Sequence, residues 1–154
     1  MMTQTLYNKK DWTPGPWNEE PDLAVWVDAD AYYPCVAKRG LFGAWCGYVG
    51  LFPSHPLYGS SRFDPAFEFI EVHNHVNMSN TSANLSLLAT PALCHWWVGF
   101  SCTALGDFLP ISPDKKLTPH NVYRTFEYVQ GQIDSLAAQL AVIDTSLTYE
   151  SPIF

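Results

Sequence analysis

Two histidines one residue apart, His73 and His75, stand in the stretch EFIEVHNHVNMSNTS at residues 68–82. If the chain from about Phe67 to Val76 is a strand, side chains repeat on one face every second residue, so Glu71, His73 and His75 share a face. A Glu-x-His-x-His row supplies one oxygen and two nitrogen ligands, and Asp107 in ALGDFLP could add a second carboxylate. Zinc or manganese held in this way keeps a position open for a water nucleophile, which is the chemistry of a metal-dependent hydrolase. The same imidazoles serve equally in a pocket without a cofactor, framed by His55, His73, His75, Trp97 and Asp107. A third option is that they only end a strand at the solvent.

Other reaction centres are absent from the sequence. No GxSxG elbow occurs, and neither the Cys94–His95 pair nor Cys102 sits in a Cys/His protease signature. Neither a Walker loop nor GxGxxG is present, which argues against an ATPase or a Rossmann dehydrogenase. Six tryptophans and eight tyrosines remain as surfaces for stacking. Trp96 and Trp97 point to opposite faces of a strand, so at most one belongs to a core under a helix, and the other needs a loop, a partner or a ligand.

The elements that must position these residues read as an α+β domain: a mainly antiparallel sheet of about four strands covered by one long C-terminal helix. Pro14, Gly15, Pro16 and Pro21 keep residues 1–22 out of helices and central strands, so this segment wraps the surface, pinned by Trp12 and Trp17. LAVWVD, AYYPCVAKRG and FGAWCGYVGLF form a strand followed by a hairpin, with Gly47 and Gly50 admitting a close neighbour. PSHPLYGSSRFDP at 53–65 is a loop, and HWWVGFSC at 95–102 is the last and most buried strand. Between them, the Asn- and Ser-rich tract at 77–93 favours turns and could act as a flap. Thr118 as N-cap and Pro119 at the first helical position start a helix running to about Asp144. Val122, Phe126, Val129, Ile133, Leu136, Leu140 and Ile143 recur along it at steps of three and four. That seam packs on the chain's own sheet or, alternatively, joins copies into a homo-oligomer. Gly131 within the helix is the expected point of close approach to the sheet.

Composition bounds the function. A chain of 154 residues, 47% apolar and 15% aromatic, builds one domain with a real core. A formal charge of -7 opposes attraction to a phosphate backbone, so nucleic acid is not an expected partner. The acidic cluster of Glu19, Glu20, Asp22, Asp28 and Asp30 reads as a solvated face. The four cysteines show no CxxC pair and no dense small-domain spacing, and two of them sit in apolar strand-like contexts that suit small buried hydrophobes. With no apolar leader in MMTQTLYNKKDW and no run of about 18 apolar residues to span a bilayer, the expectation is a cytoplasmic protein without a membrane partner.

Five blocks carry a resemblance: PDLAVWVDADAYYPC at 21–35, GAWCGYVGLFPSHPLYG at 43–59, EVHNH at 71–75, WWVGFSCTALGD at 96–107 and YRTFEYVQGQIDSLAAQL at 123–140. Together and in this order they resemble a family of small uncharacterised phage and bacterial proteins. That family reads CGYVGVPxGHPLYG, VHGG, WWFGFDCAHxGD and a helix opening YRDxxYV. Its histidine is kept as His73 and its Gly-Asp as Gly106 and Asp107, whereas Asn74 and His75 replace the glycine pair and Ser101 replaces an aspartate. The resemblance implies phage association but no reaction. A polar site that has lost members keeps binding more readily than catalysis, because a reaction needs every proton and charge handled. The expected function is therefore that of a phage-encoded, non-enzymatic accessory protein in the host cytoplasm. It would bind a small ligand, nucleotide-like among the options, or a host protein, and counter a host function such as defence. Cofactors are expected to be none, with Zn or Mn as the hydrolase alternative.

Overall fold

The computed structural model describes residues 1–87, 96–111 and 121–150, the last six of these by backbone alone. Among the described residues, six antiparallel strands and one α-helix form the fold. The strands are β1 (Met2–Gln4), β2 (Leu23–Val27), β3 (Pro34–Arg39), β4 (Trp45–Leu51), β5 (Met78–Thr81) and β6 (Trp96–Ser101), followed by α1 (Phe126–Glu150). Their order across the sheet is β1-β2-β3-β4-β6-β5. Val25 faces Val36, Val36 faces Tyr48, and Tyr48 faces Gly99, so the pleat keeps one set of alternate residues on each face.

The helix covers one face, lying across β3 and β4. Trp45, Val49 and Leu51 of β4 and Val98 and Phe100 of β6 meet Val129, Ile133, Leu136 and Leu140 there, all fully buried. Each of these helix residues contributes roughly 2 kcal/mol on leaving water, which answers the question of the seam: the chain's own sheet covers it. The close approach occurs at Gly47 on the strand. A Cβ there would lie 2.6 Å from Ile133 Cγ1 and from Phe100 Cε1, so only glycine lets the helix settle at this depth. Gly131, expected in that role, faces open space on the exposed side of α1. The opposite face of the sheet packs Leu23, Val36, Cys46, Tyr48, Leu87 and Trp97 into a second, smaller core.

Several expectations are corrected. The sheet has six strands because two segments read as irregular pair at its edges. Met2–Gln4 precedes the first proline and adds to β2, and Met78–Thr81 in the polar tract adds to β6. Cross-strand pairing overrides the local preference of Asn and Ser for turns. No strand spans Phe67–Val76. Asp64 and Pro65 open a short 3-10 helix at Pro65–Phe69, with Asp64 Oδ1 accepting the Ala66 amide at 2.9 Å, the same N-cap and first-position signal read elsewhere at Thr118–Pro119. Thr118 and Pro119 lie outside the described residues, but the chain is not helical at 121–125. Val122 is held extended by donating to Gly106 O at 2.7 Å and accepting from Phe108 N at 2.9 Å. The helix begins at Phe126, with Thr125 Oγ1 accepting the Tyr128 amide at 3.2 Å as N-cap. The most enclosed strand is β4, buried at all seven positions, rather than β6.

The acidic cluster is only partly solvated. Glu19 and Asp30 are exposed, whereas Asp28 turns the β2–β3 hairpin by accepting the Asp30 and Ala31 amides. Asp22 is fully buried and accepts from the Leu6 and Tyr7 amides, from Lys9 Nζ at 2.6 Å and from Arg39 Nε at 2.7 Å. Arg39, 2% exposed, also reaches Gly43 O, Tyr123 Oη and Glu20 Oε1. Glu20 accepts the Tyr123 hydroxyl and, through Oε2, the Phe126 amide at 2.7 Å, so it serves as a second cap for α1. This network joins the N-terminal segment, β3 and the start of the helix.

Cys35, Cys46 and Cys102 are free and buried, and burial pushes each thiol above its ordinary range, as suits small core hydrophobes; Cys94 lies outside the described residues. Among the described residues no helix is long and apolar enough to cross a membrane.

Candidate functional site

The segment before His73 runs alongside α1 and is fastened to it by two glutamines. Gln139 accepts the Glu71 amide at 2.8 Å and donates to the Glu71 carbonyl at 2.8 Å, and Gln132 accepts the His73 amide at 2.9 Å. A turn follows, closed by the His75 amide donating to Val72 O at 3.0 Å. Asn74 and His75 both sit in the left-handed region, at φ 58° each, and Asn74 Nδ2 donates to Ser101 O to tie the turn to the end of β6. Two successive left-handed residues break the period of two, so His73 and His75 leave the turn in different directions.

His73 goes to Asp107. Its Nε2 lies 2.8 Å from Asp107 Oδ2, and its Nδ1 lies 2.9 Å from Tyr128 Oη, with the tyrosine ring edge-on at 5.5 Å. A carboxylate only accepts, so Nε2 carries a proton; in the neutral ring Nδ1 then accepts from the Tyr128 hydroxyl. Asp107 is 6% exposed and stands at the end of a turn in which its Oδ2 also accepts the Ala104 amide, Gly106 supplying the positive φ of 95°. Its other oxygen accepts from Arg124 Nε at 2.9 Å. Arg124 sits 5.3 Å over the Tyr128 ring. Burial raises the Tyr128 phenol above its usual range, with Arg124 opposing, so the hydroxyl is a neutral donor rather than a phenolate nucleophile.

Of the candidate residues, His73 and Asp107 are thus brought together, and the others are not. His55 is buried beside the middle of α1: Leu57 N donates to its Nδ1 at 3.0 Å, and its Nε2 donates to Leu140 O at 2.9 Å. Leu140 is twelve residues past Tyr128, about 18 Å along the helix. Trp97 is fully buried in the second core, on the face of the sheet away from α1, its indole donating to Ser82 Oγ at 2.9 Å. Loop residues therefore cover it. Glu71 is exposed and engaged through its backbone, and His75 lines a separate cleft. The Glu-x-His-x-His row is not formed, because it required a strand where the chain makes a turn. Among the described residues no three or more His, Cys, Asp or Glu side chains converge as a metal site would need.

Arg124 and Tyr128 were missed as site residues, although both lie within the YRTFEYV block. Arg124 precedes the helix that carries Tyr128, so no helical spacing relates the two, and the available signal was only their place in the block that opens α1. No family model, curated protein or solved structure matches the chain.

Proposed function

We propose that the protein binds a small anionic ligand without transforming it, as a phage-encoded accessory protein that blunts a host function such as defence. The phage setting and the host cytoplasm as its place of action rest on the five sequence blocks. Binding rests on one observation: the polar groups best suited to acid–base work are already engaged with one another. Both nitrogens of His73 and both oxygens of Asp107 have protein partners, so neither is poised to take a substrate proton. What the cluster leaves at the surface is the fork of Arg124. Its side chain is 28% exposed, and among the described residues only its Nε is hydrogen-bonded. A guanidinium fixed at Nε and stacked on an aromatic ring presents its terminal nitrogens in a preset geometry, which suits bidentate capture of a carboxylate or phosphate.

Heat release of small molecules from the purified protein, followed by mass spectrometry, tests this. An anionic compound should leave the wild type and be missing from a folded Arg124→Ala variant, with affinity lower by on the order of a hundredfold when that compound is added back. Retention of the same compound by Arg124→Ala, or release of none by the wild type, would overturn the reading.

A further inference from the structure

The turn at 72–75 separates two places. On one side His73 meets Asp107; on the other His75 lines a cleft of about 360 Å³ together with Arg62, Phe63, Phe67, Glu68 and Val76. The volume falls at the lower end of ligand pockets. Phe67 and Val76 are 5% and 7% exposed and belong to the main core, so they make a firm apolar floor. Phe63 stands at the mouth, 77% exposed, with the Arg62 guanidinium 4.6 Å over its ring. The rim mixes chemistry: Glu68 offers acceptors, Arg62 donors, and the exposed His75 imidazole either. His75 reaches this rim only because Asn74 and His75 hold left-handed backbone, a conformation that side chains other than glycine adopt at a cost.

We infer that this cleft is a second subsite, taking a planar heteroaromatic ring of nucleobase size by stacking at Phe63 and by hydrogen bonds at its polar rim. A saturated apolar group would use the floor but leave the rim donors and acceptors unmatched. A peptide side chain such as Leu would do the same. A base edge carries donors and acceptors in one plane and a π-face perpendicular to them, which answers both features at once. The Cα atoms of His73 and His75 are at most about 7.6 Å apart, so one turn carries a residue of the cleft and a residue of the His73 cluster. The ring subsite rests on that reading only for its physiological ligand and is tested apart from it.

Adenosine, cytidine and, as a control, cyclohexanol are titrated into uniformly 15N-labelled full-length protein and followed by amide chemical shifts. The nucleosides should give saturable shifts confined to residues 62–68 and 75–76. Phe63→Ala, at an exposed position that leaves the core intact, should weaken them about tenfold, whereas Arg124→Ala should leave them unchanged. No saturable shift with either nucleoside, equal binding by Phe63→Ala, or equal saturation by cyclohexanol would overturn the subsite. Inorganic phosphate, titrated alone, then separates the two ideas: if it gives no saturable shift near Arg124 while the nucleosides bind the cleft, the ring subsite stands and the anion site fails.

Discussion

The Arg39 network and the His73 cluster end on adjacent residues, Tyr123 and Arg124, yet they are built in opposite ways. Around Arg39 every charge faces inward: the guanidinium is 2% exposed, Asp22 is fully buried, and Lys9 and Glu20 complete the set. Around His73 the carboxylate is buried but the arginine that pairs with it remains partly in solvent. A network whose charges are paired with one another works as a clasp between the N-terminal segment, β3 and α1. A network closed on one side and open on the other can hold its groups rigid and still bind. Two neighbouring residues ahead of α1 thus belong to a closed network and to a partly open one, and only the open one leaves groups for the proposed recognition.

The sharpest way to break this comparison is Arg39→Met. Removing the guanidinium takes a buried charged partner from both Asp22 and Glu20, and a loss of about 3–5 kcal/mol is expected in urea denaturation. A loss near zero would mean that the network is not a clasp.

Acid provides the next test. Burial alone would push the Asp22 carboxyl up, but Lys9, the Tyr7 amide, Arg39 and the Leu6 amide outweigh it and hold the group below its ordinary value. A carboxyl with a lower pKa folded than unfolded contributes stability that is present above about pH 4 and is lost as the pH falls further toward the folded value. Urea midpoints measured down through that range should drop for the wild type, and Asp22→Asn, less stable at neutral pH, should drop less steeply. Parallel profiles would assign the acid transition to other groups.

The smallest expected effect sharpens the contrast from the other side. Arg124→Ala removes one partner of the buried Asp107 carboxylate, which keeps His73 and the Ala104 amide, and should cost about 1–2 kcal/mol by the same measurement, while it weakens anion binding about a hundredfold. A loss as large as that of Arg39→Met would make both networks structural.

Much of the fold is legible in the chain. The seam Val129, Ile133, Leu136, Leu140 is a local periodicity that records which side of the helix is buried, and β4 is marked by its continuous run of apolar and small residues. Gly47 was also marked by its bulky neighbours. The edge strands were not legible, since Met78–Thr81 has the composition of a turn and becomes a strand only because β6 offers it a partner. The 3-10 helix at Pro65 was legible in Asp64–Pro65 and was overshadowed by the apolar and histidine pattern that follows.

The site divides along the same line. Sequence by itself determined that there is one amphipathic helix, a set of aromatic, β-branched strands, and a short inventory of polar residues able to act, His73 and Asp107 among them. Tertiary structure alone decided which of them meet. His73 joins Asp107 across 34 residues, Arg124 joins Asp107 across 17, and Tyr128 joins His73 across 55, while His55 and Trp97 are drawn into core positions. Local periodicity specifies which face of an element is apolar, but the partner of a polar side chain is set by how turns and the helix dock, which depends on burial summed over the whole chain.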